Sequence, residues 1–138
     1  MAHNKDFISK LRNSSLRPTK QRLKICEILF SRDKTFHFSI LGLEKIIKNQ
    51  AKDKISLATI YNTVHALTKK GYLKEISINT NQSYFDTNTK YHHHFFDEAN
   101  NKLIDLSKDD INLIEIKKKI PGKKIKSVEV LVKLADEK

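Results

Sequence analysis

Up to Gly71 the apolar residues of this chain return every three or four positions; from Tyr72 onward they alternate, with one more helical stretch in between. The first period lines one face of a helix and the second one face of a strand. Phe7, Ile8 and Leu11 predict a short helix over residues 6–12. Leu16-Arg17-Pro18-Thr19 then breaks and restarts the chain, and Thr19 suits the N-cap of a second helix reaching about residue 31. Ser39 suits the cap of a third, striped by Ile40, Leu43, Ile46 and Ile47.

A fourth helix opens at Ser56, with Leu57, Ile60, Val64 and Leu67 spaced as one buried stripe. Its other face carries Ala58, Thr59, Asn62, Thr63 and Ala66, where an ordinary solvent face would carry Glu and Lys. Small, neutral, hydrogen-bonding side chains let a helix approach base edges closely. Gly71 follows Lys69-Lys70 and suits the left-handed residue after the last turn. Strands over 72–78 and 82–86, joined by Asn79-Thr80-Asn81, form a hairpin. Helices followed by such a wing predict a winged helix-turn-helix over residues 1–86.

Beyond Asp86, residues 92–97 and 102–106 read as strands around an Asn100-Asn101 turn. Ser107 and Asp110 have capping-box spacing, and Ile111, Leu113, Ile114 and Ile116 continue at helical period. After Pro121-Gly122, residues 125–134 alternate as a final strand. Residues 87–138 are therefore expected to form a small α/β dimerisation domain whose exposed edge a second subunit completes. The fold class is α+β.

Charge sharpens this division. Residues 1–86 carry 16 Lys+Arg against 7 Asp+Glu, and residues 87–138 carry 11 against 9. The positive field thus belongs to the winged-helix half, and phosphates are its commonest partner. The single cysteine, Cys26, lies in an apolar helical run; it excludes a disulfide framework and any zinc site that needs two or more cysteines, so no cysteine-ligated structural zinc is expected. No apolar run has the length of a signal or a membrane span, so the expectation is a cytoplasmic protein without a membrane partner. A helix-borne His-Glu-x-x-His, a nucleophile elbow and a phosphate-cradling glycine loop are all missing, which argues against an enzyme.

The strongest chemical feature is His92-His93-His94. On a strand His92 and His94 share one face and His93 takes the other. Two such imidazoles can hold a metal, and one can ligate haem iron. His65 follows Tyr61 by one helical turn and is read as a phosphate contact, a haem ligand or a solvated side chain.

Three segments together carry a resemblance: Leu16-Arg17-Pro18-Thr19-Lys20-Gln21-Arg22, Ile55-Ser56-Leu57-Ala58-Thr59-Ile60-Tyr61-Asn62, and the histidine run after the wing. Over residues 16–134 the chain resembles the ferric uptake regulator (Fur) family. Tyr84-Phe85-Asp86-Thr87-Asn88 with the histidines, Phe95-Phe96 and Leu103-Ile104-Asp105-Leu106 is most similar to its iron response regulator (Irr) branch, which senses haem. The resemblance implies a transcription regulator of iron or haem homeostasis that binds operator DNA as a homodimer and is released by haem. The alternative is a peroxide-sensing or metal-sensing member using Fe, Mn or Zn. It places Arg17 and Arg22 beside the DNA backbone or an A·T-rich minor groove, with Lys20, Lys69 and Lys70 adding backbone attraction. Ala58, Thr59, Tyr61 and Asn62 face the bases of a double-stranded, A·T-rich palindrome. The haem or metal set is His92, His93, His94 and His65, with His37 and Asp86 at the family's inter-domain metal positions. Another family metal site falls on Asn112 and about Val128, neither a useful ligand, and is expected to be lost.

Overall fold

The structure is a computed structural model that describes residues 2–50, 54–112 and 114–137. It divides into two compact units, residues 1–89 and 90–138.

The first unit runs α1 (Ala2–Asn13), α2 (Lys20–Phe30), β1 (His37–Phe38), α3 (Ile40–Gln50), α4 (Leu57–Lys70), β2 (Lys74–Asn79) and β3 (Gln82–Asp86). The caps form where their residues stand. The Thr19 hydroxyl accepts the Arg22 N–H, and Ser39 and Ser56 accept from Gly42 and Thr59. Each of these bonds satisfies an N–H that has no partner inside its helix. Gly71 closes α4 at φ 96°, donating to the Thr68 carbonyl while the Tyr72 N–H reaches the Leu67 carbonyl. That pair of bonds needs the left-handed backbone that glycine adopts without a Cβ penalty.

The core gathers one stripe from each helix: Phe7 and Leu11; Ile25, Cys26, Ile28 and Leu29; Leu43 and Ile47; then Ile60, Val64 and Leu67. Phe38 and Phe85 enter from the sheet, whose order is β1-β3-β2. The turn of the wing is tighter than expected, because Asn79 pairs directly with Gln82. Winged helix-turn-helix topology is complete within this unit.

The second unit is a sheet of order β5-β4-β6, built from β4 (His93–Asp97), β5 (Lys102–Leu106) and β6 (Leu131–Leu134). β4 is central, antiparallel to β5 and parallel to β6. The capping box forms as expected: Ser107 and Asp110 satisfy each other's backbone, but they open only a 3₁₀ turn over Lys108–Asp110. Ile111 then turns extended, and no helix continues among the described residues to 120; Leu113 lies outside them. The final strand is likewise shorter than expected, starting at Leu131. The physical reason is burial. Ile114, Ile116, Ile120 and Ile125 are all exposed in the single chain. An amphipathic helix of β-branched residues holds mainly through a packed face, which one chain does not provide here.

Candidate functional site

Two sets of side chains have chemistry to offer, one in each unit. In α4, the outer face presents Leu57, Ala58, Tyr61 and Asn62 to solvent. Leu57 is 43% exposed, so it leaves the buried stripe to which its spacing assigned it. Thr63, expected outward, is fully buried, with its hydroxyl donating to the Thr59 carbonyl at 2.6 Å. The buried arc is centred on Ile60, Thr63, Val64 and Leu67, and the first residue of the helix lies beyond it. Leu57 therefore joins Ala58 as an apolar surface of the kind that packs on a thymine methyl. Thr59 is half-buried and its hydroxyl is bound to that of Ser56 at 3.0 Å, within the cap of the helix.

Arg17, Lys20, Lys69 and Lys70 are exposed. Arg22 is half-buried and donates from Nη1 to the Arg17 carbonyl at 3.0 Å, bracing the entry to α2. His65 stacks on Tyr61, ring centroids 4.2 Å apart. His37 pairs with Asp86 across β1 and β3, and Asp86 is buried and accepts the Asn88 N–H.

In the second unit the histidine run alternates as a strand requires. His92 and His94 lie on one side with ring centroids 4.4 Å apart. His93 lies on the other, where its Nδ1 accepts the Val130 N–H and its ring meets Tyr91 edge-on. It is a backbone anchor for the strand beside it and does not join its neighbours. Tyr91 reinforces the anchor by donating to the Val128 carbonyl.

His92 and His94 converge instead on a residue that the sequence reading passed over. Asp105 is the β5 partner of His94, and its Oδ1 lies 3.4 Å from His92 Nε2 and 3.5 Å from His94 Nε2. The ligand atoms of all three lie within 4.8 Å of one another. The His92 Nδ1 sits 2.7 Å from the Lys90 carbonyl, which can only accept, so Nδ1 carries the proton. In the neutral ring the Nε2 lone pair then faces the carboxylate. A second hydrogen bond of this kind is how metal-binding histidines are oriented.

The two carboxylate–imidazole separations, 3.4 and 3.5 Å, suit an ion. At metal–donor distances of about 2.1 Å, donors on a tetrahedron stand about 3.4 Å apart and those on an octahedron about 3.0 Å. Two imidazoles and one carboxylate suit zinc and its first-row neighbours. In the sequence Asp105 stands out as the acid within the apolar run Leu103-Ile104-Asp105-Leu106, a segment of the resemblance that carried no ligand assignment.

Cys26 is fully buried in the first unit. Burial pushes its thiol up to about 12, so it is not a reactive thiolate at neutral pH.

The chain resembles known proteins over almost all of its length. The peroxide-responsive repressor PerR of Staphylococcus aureus is 32% identical over 112 residues, 80% of this chain and 72% of that protein. In fold it is similar to the ferric uptake regulator of Pseudomonas aeruginosa with manganese, at TM-score 0.68 and 18% identity over 96% of this chain and 98% of that one. The Vibrio cholerae ferric uptake regulator gives 0.70 and 20% over 94% and 98%. The model of the ferric uptake regulator family matches residues 13–134, and the chain belongs to that family.

Proposed function

We propose that this protein is a metal-responsive DNA-binding transcription regulator, in which His92, His94 and Asp105 bind a divalent first-row ion and α4 reads operator bases. The observation that carries the metal reading is the convergence of two Nε2 atoms on one carboxylate oxygen, at 3.4 and 3.5 Å. His37 and Asp86 are proposed as further ligands on the sequence resemblance alone. A bound ion would supply a positive charge linking His92, His94 and Asp105, and through the last two the strands β4 and β5.

Haem, the expected effector, suits this arrangement less well. The axial ligands of haem iron are imidazole, thiolate, thioether or phenolate, whereas here a carboxylate shares the site with both Nε2 atoms. The proposed effector is accordingly Fe, Mn or Zn, and the regulation of iron or haem homeostasis by haem gives way to the metal alternative. Peroxide sensing is the further reading, supported by the 32% identity with PerR. The buried, protonated Cys26 thiol is not fit to carry such a response.

In the DNA-reading half, Tyr61 and Asn62 stand outward with Ala58 and Leu57, and Arg17, Lys20, Lys69 and Lys70 add backbone contacts. The proposed working form is a homodimer in the cytoplasm. No helix among the described residues is long and apolar enough to cross a membrane. An effector alters DNA affinity only by binding one arrangement of the protein more tightly than another. By ordering the unit that carries the dimer edge, the ion should favour the paired reading heads and raise affinity by about 5–150-fold. The test is metal titration of the purified protein, followed by duplex-DNA binding with and without the ion. Equal DNA affinity in both states, with metal demonstrably bound, would refute the regulatory reading. Retention of full metal affinity by Asp105→Ala would refute the ligand set.

A further inference from the structure

α4 carries a histidine where an outward ring meets the core. Tyr61 is 51% exposed on the outer face of the helix. One turn on, His65 lies against it, with centroids 4.2 Å apart and planes tilted by 39°. The same imidazole meets Phe85 of β3 edge-on, at 5.8 Å and 75°. Phe85 is buried and stacks on Phe38 of β1 at 5.9 Å. Tyr61 is thus the exposed end of a ladder of rings whose other members are held by the core.

This arrangement has a consequence for recognition. A tyrosine that packs on a base edge must be frozen in one rotamer, and freezing an exposed side chain on binding costs affinity. A ring already fixed by its neighbours has lost that freedom beforehand. We propose that His65 is a specificity-determining positioning residue: it holds the Tyr61 ring, through Phe85, in the orientation that reads the operator. His65 then acts without touching DNA. Its ring is engaged by Tyr61 and Phe85, so its service is as a flat aromatic spacer rather than as a cation for phosphate. The inference rests on the reading of α4 as the base-reading helix.

The experiment uses the 138-residue chain loaded with zinc, a cognate duplex selected by the unmodified protein from a random pool, and a scrambled duplex. Four variants are compared: Tyr61→Ala, His65→Ala, His65→Phe, and the double Tyr61→Ala/His65→Ala. Aromatic pairs of this kind set the expected size, about two- to tenfold. His65→Ala should lose that much cognate-to-scrambled preference while affinity for the scrambled duplex and its salt dependence stay unchanged. His65→Phe, which keeps a flat ring and removes the titratable nitrogen, should restore most of the preference. The double variant should discriminate no worse than Tyr61→Ala alone.

Three results overturn the proposal: an undiminished preference in His65→Ala, no rescue by phenylalanine, or additive losses in the double variant. A weakening on both duplexes with a shallower salt slope would instead make His65 a phosphate contact, which also overturns it. If Tyr61→Ala itself leaves preference intact, the base-reading assignment has failed, and that outcome is distinct from a failure confined to His65.

Discussion

The two units bury different kinds of side chain. Residues 1–89 draw apolar stripes from four helices, three of them capped by Thr19, Ser39 and Ser56, into one core, joined by Phe38 and Phe85 from the sheet. In residues 90–138 the buried apolar side chains, among the described residues, are Phe96, Leu103 and Leu106, and the other buried side chains are His92, His93 and His94. A core of hydrocarbon is indifferent to ions. A core half made of imidazole gains stability from whatever those rings bind in the folded state. On the proposed function, the first unit is expected to be stable by itself, whereas the second should gain stability from a bound ion and, through its exposed isoleucines, from a second copy.

The largest expected effect tests the first half of that contrast. Leu67→Ala removes a fully buried side chain from α4 and should destabilise the first unit by about 2–5 kcal/mol in urea unfolding. Metal affinity should be unchanged; a parallel loss of metal binding would mean that the two units do not respond independently. Next in size is the ion itself. At about 100 times its dissociation constant it should stabilise the second unit by about 2.7 kcal/mol, read as slowed amide exchange over β4 and β5. Equal protection of α2 and α4 would erase the distinction.

Within the reading helix, Tyr61→Ala or Asn62→Ala should cost about 1–3 kcal/mol of preference for the operator over a scrambled duplex. Lys69→Ala should lower both affinities alike and make the salt slope shallower. The smallest effect separates neighbours in the histidine run. His93→Ala loses the bond from the Val130 N–H, about 1 kcal/mol of stability, yet should leave metal affinity near normal. His94→Ala should instead abolish tight metal binding. Isothermal titration of both variants with zinc checks this, and similar affinities would show that strand alternation does not divide their roles.

How far the sequence reaches depends on whether its signals are local. Thr19, Ser39, Ser56 and Gly71 each announce a helix end because the bonds they make lie within a few residues. The opposite faces of His93 and its neighbours follow from the period of two. Leu57 and Thr63 exchange sides because an apolar spacing does not say where a buried arc ends. The helix expected after Ser107 has its cap but lacks a surface to pack on.

By itself, then, the sequence determined the reading head: its caps, its stripes, its wing and the small-residue face of α4, each a contest among neighbouring residues. It also determined that two histidines share one side of a strand. Tertiary structure alone decided that Asp105 joins them, because the pairing of His94 with Asp105 is a matter of register between two strands. It alone decided that His93 is an anchor and that His65 backs Tyr61 with a core ring, since those partners, Val130 and Phe85, lie far along the chain. Short-range chemistry is written in adjacent residues; a site assembled across a sheet exists only once long-range pairing has chosen which residues meet.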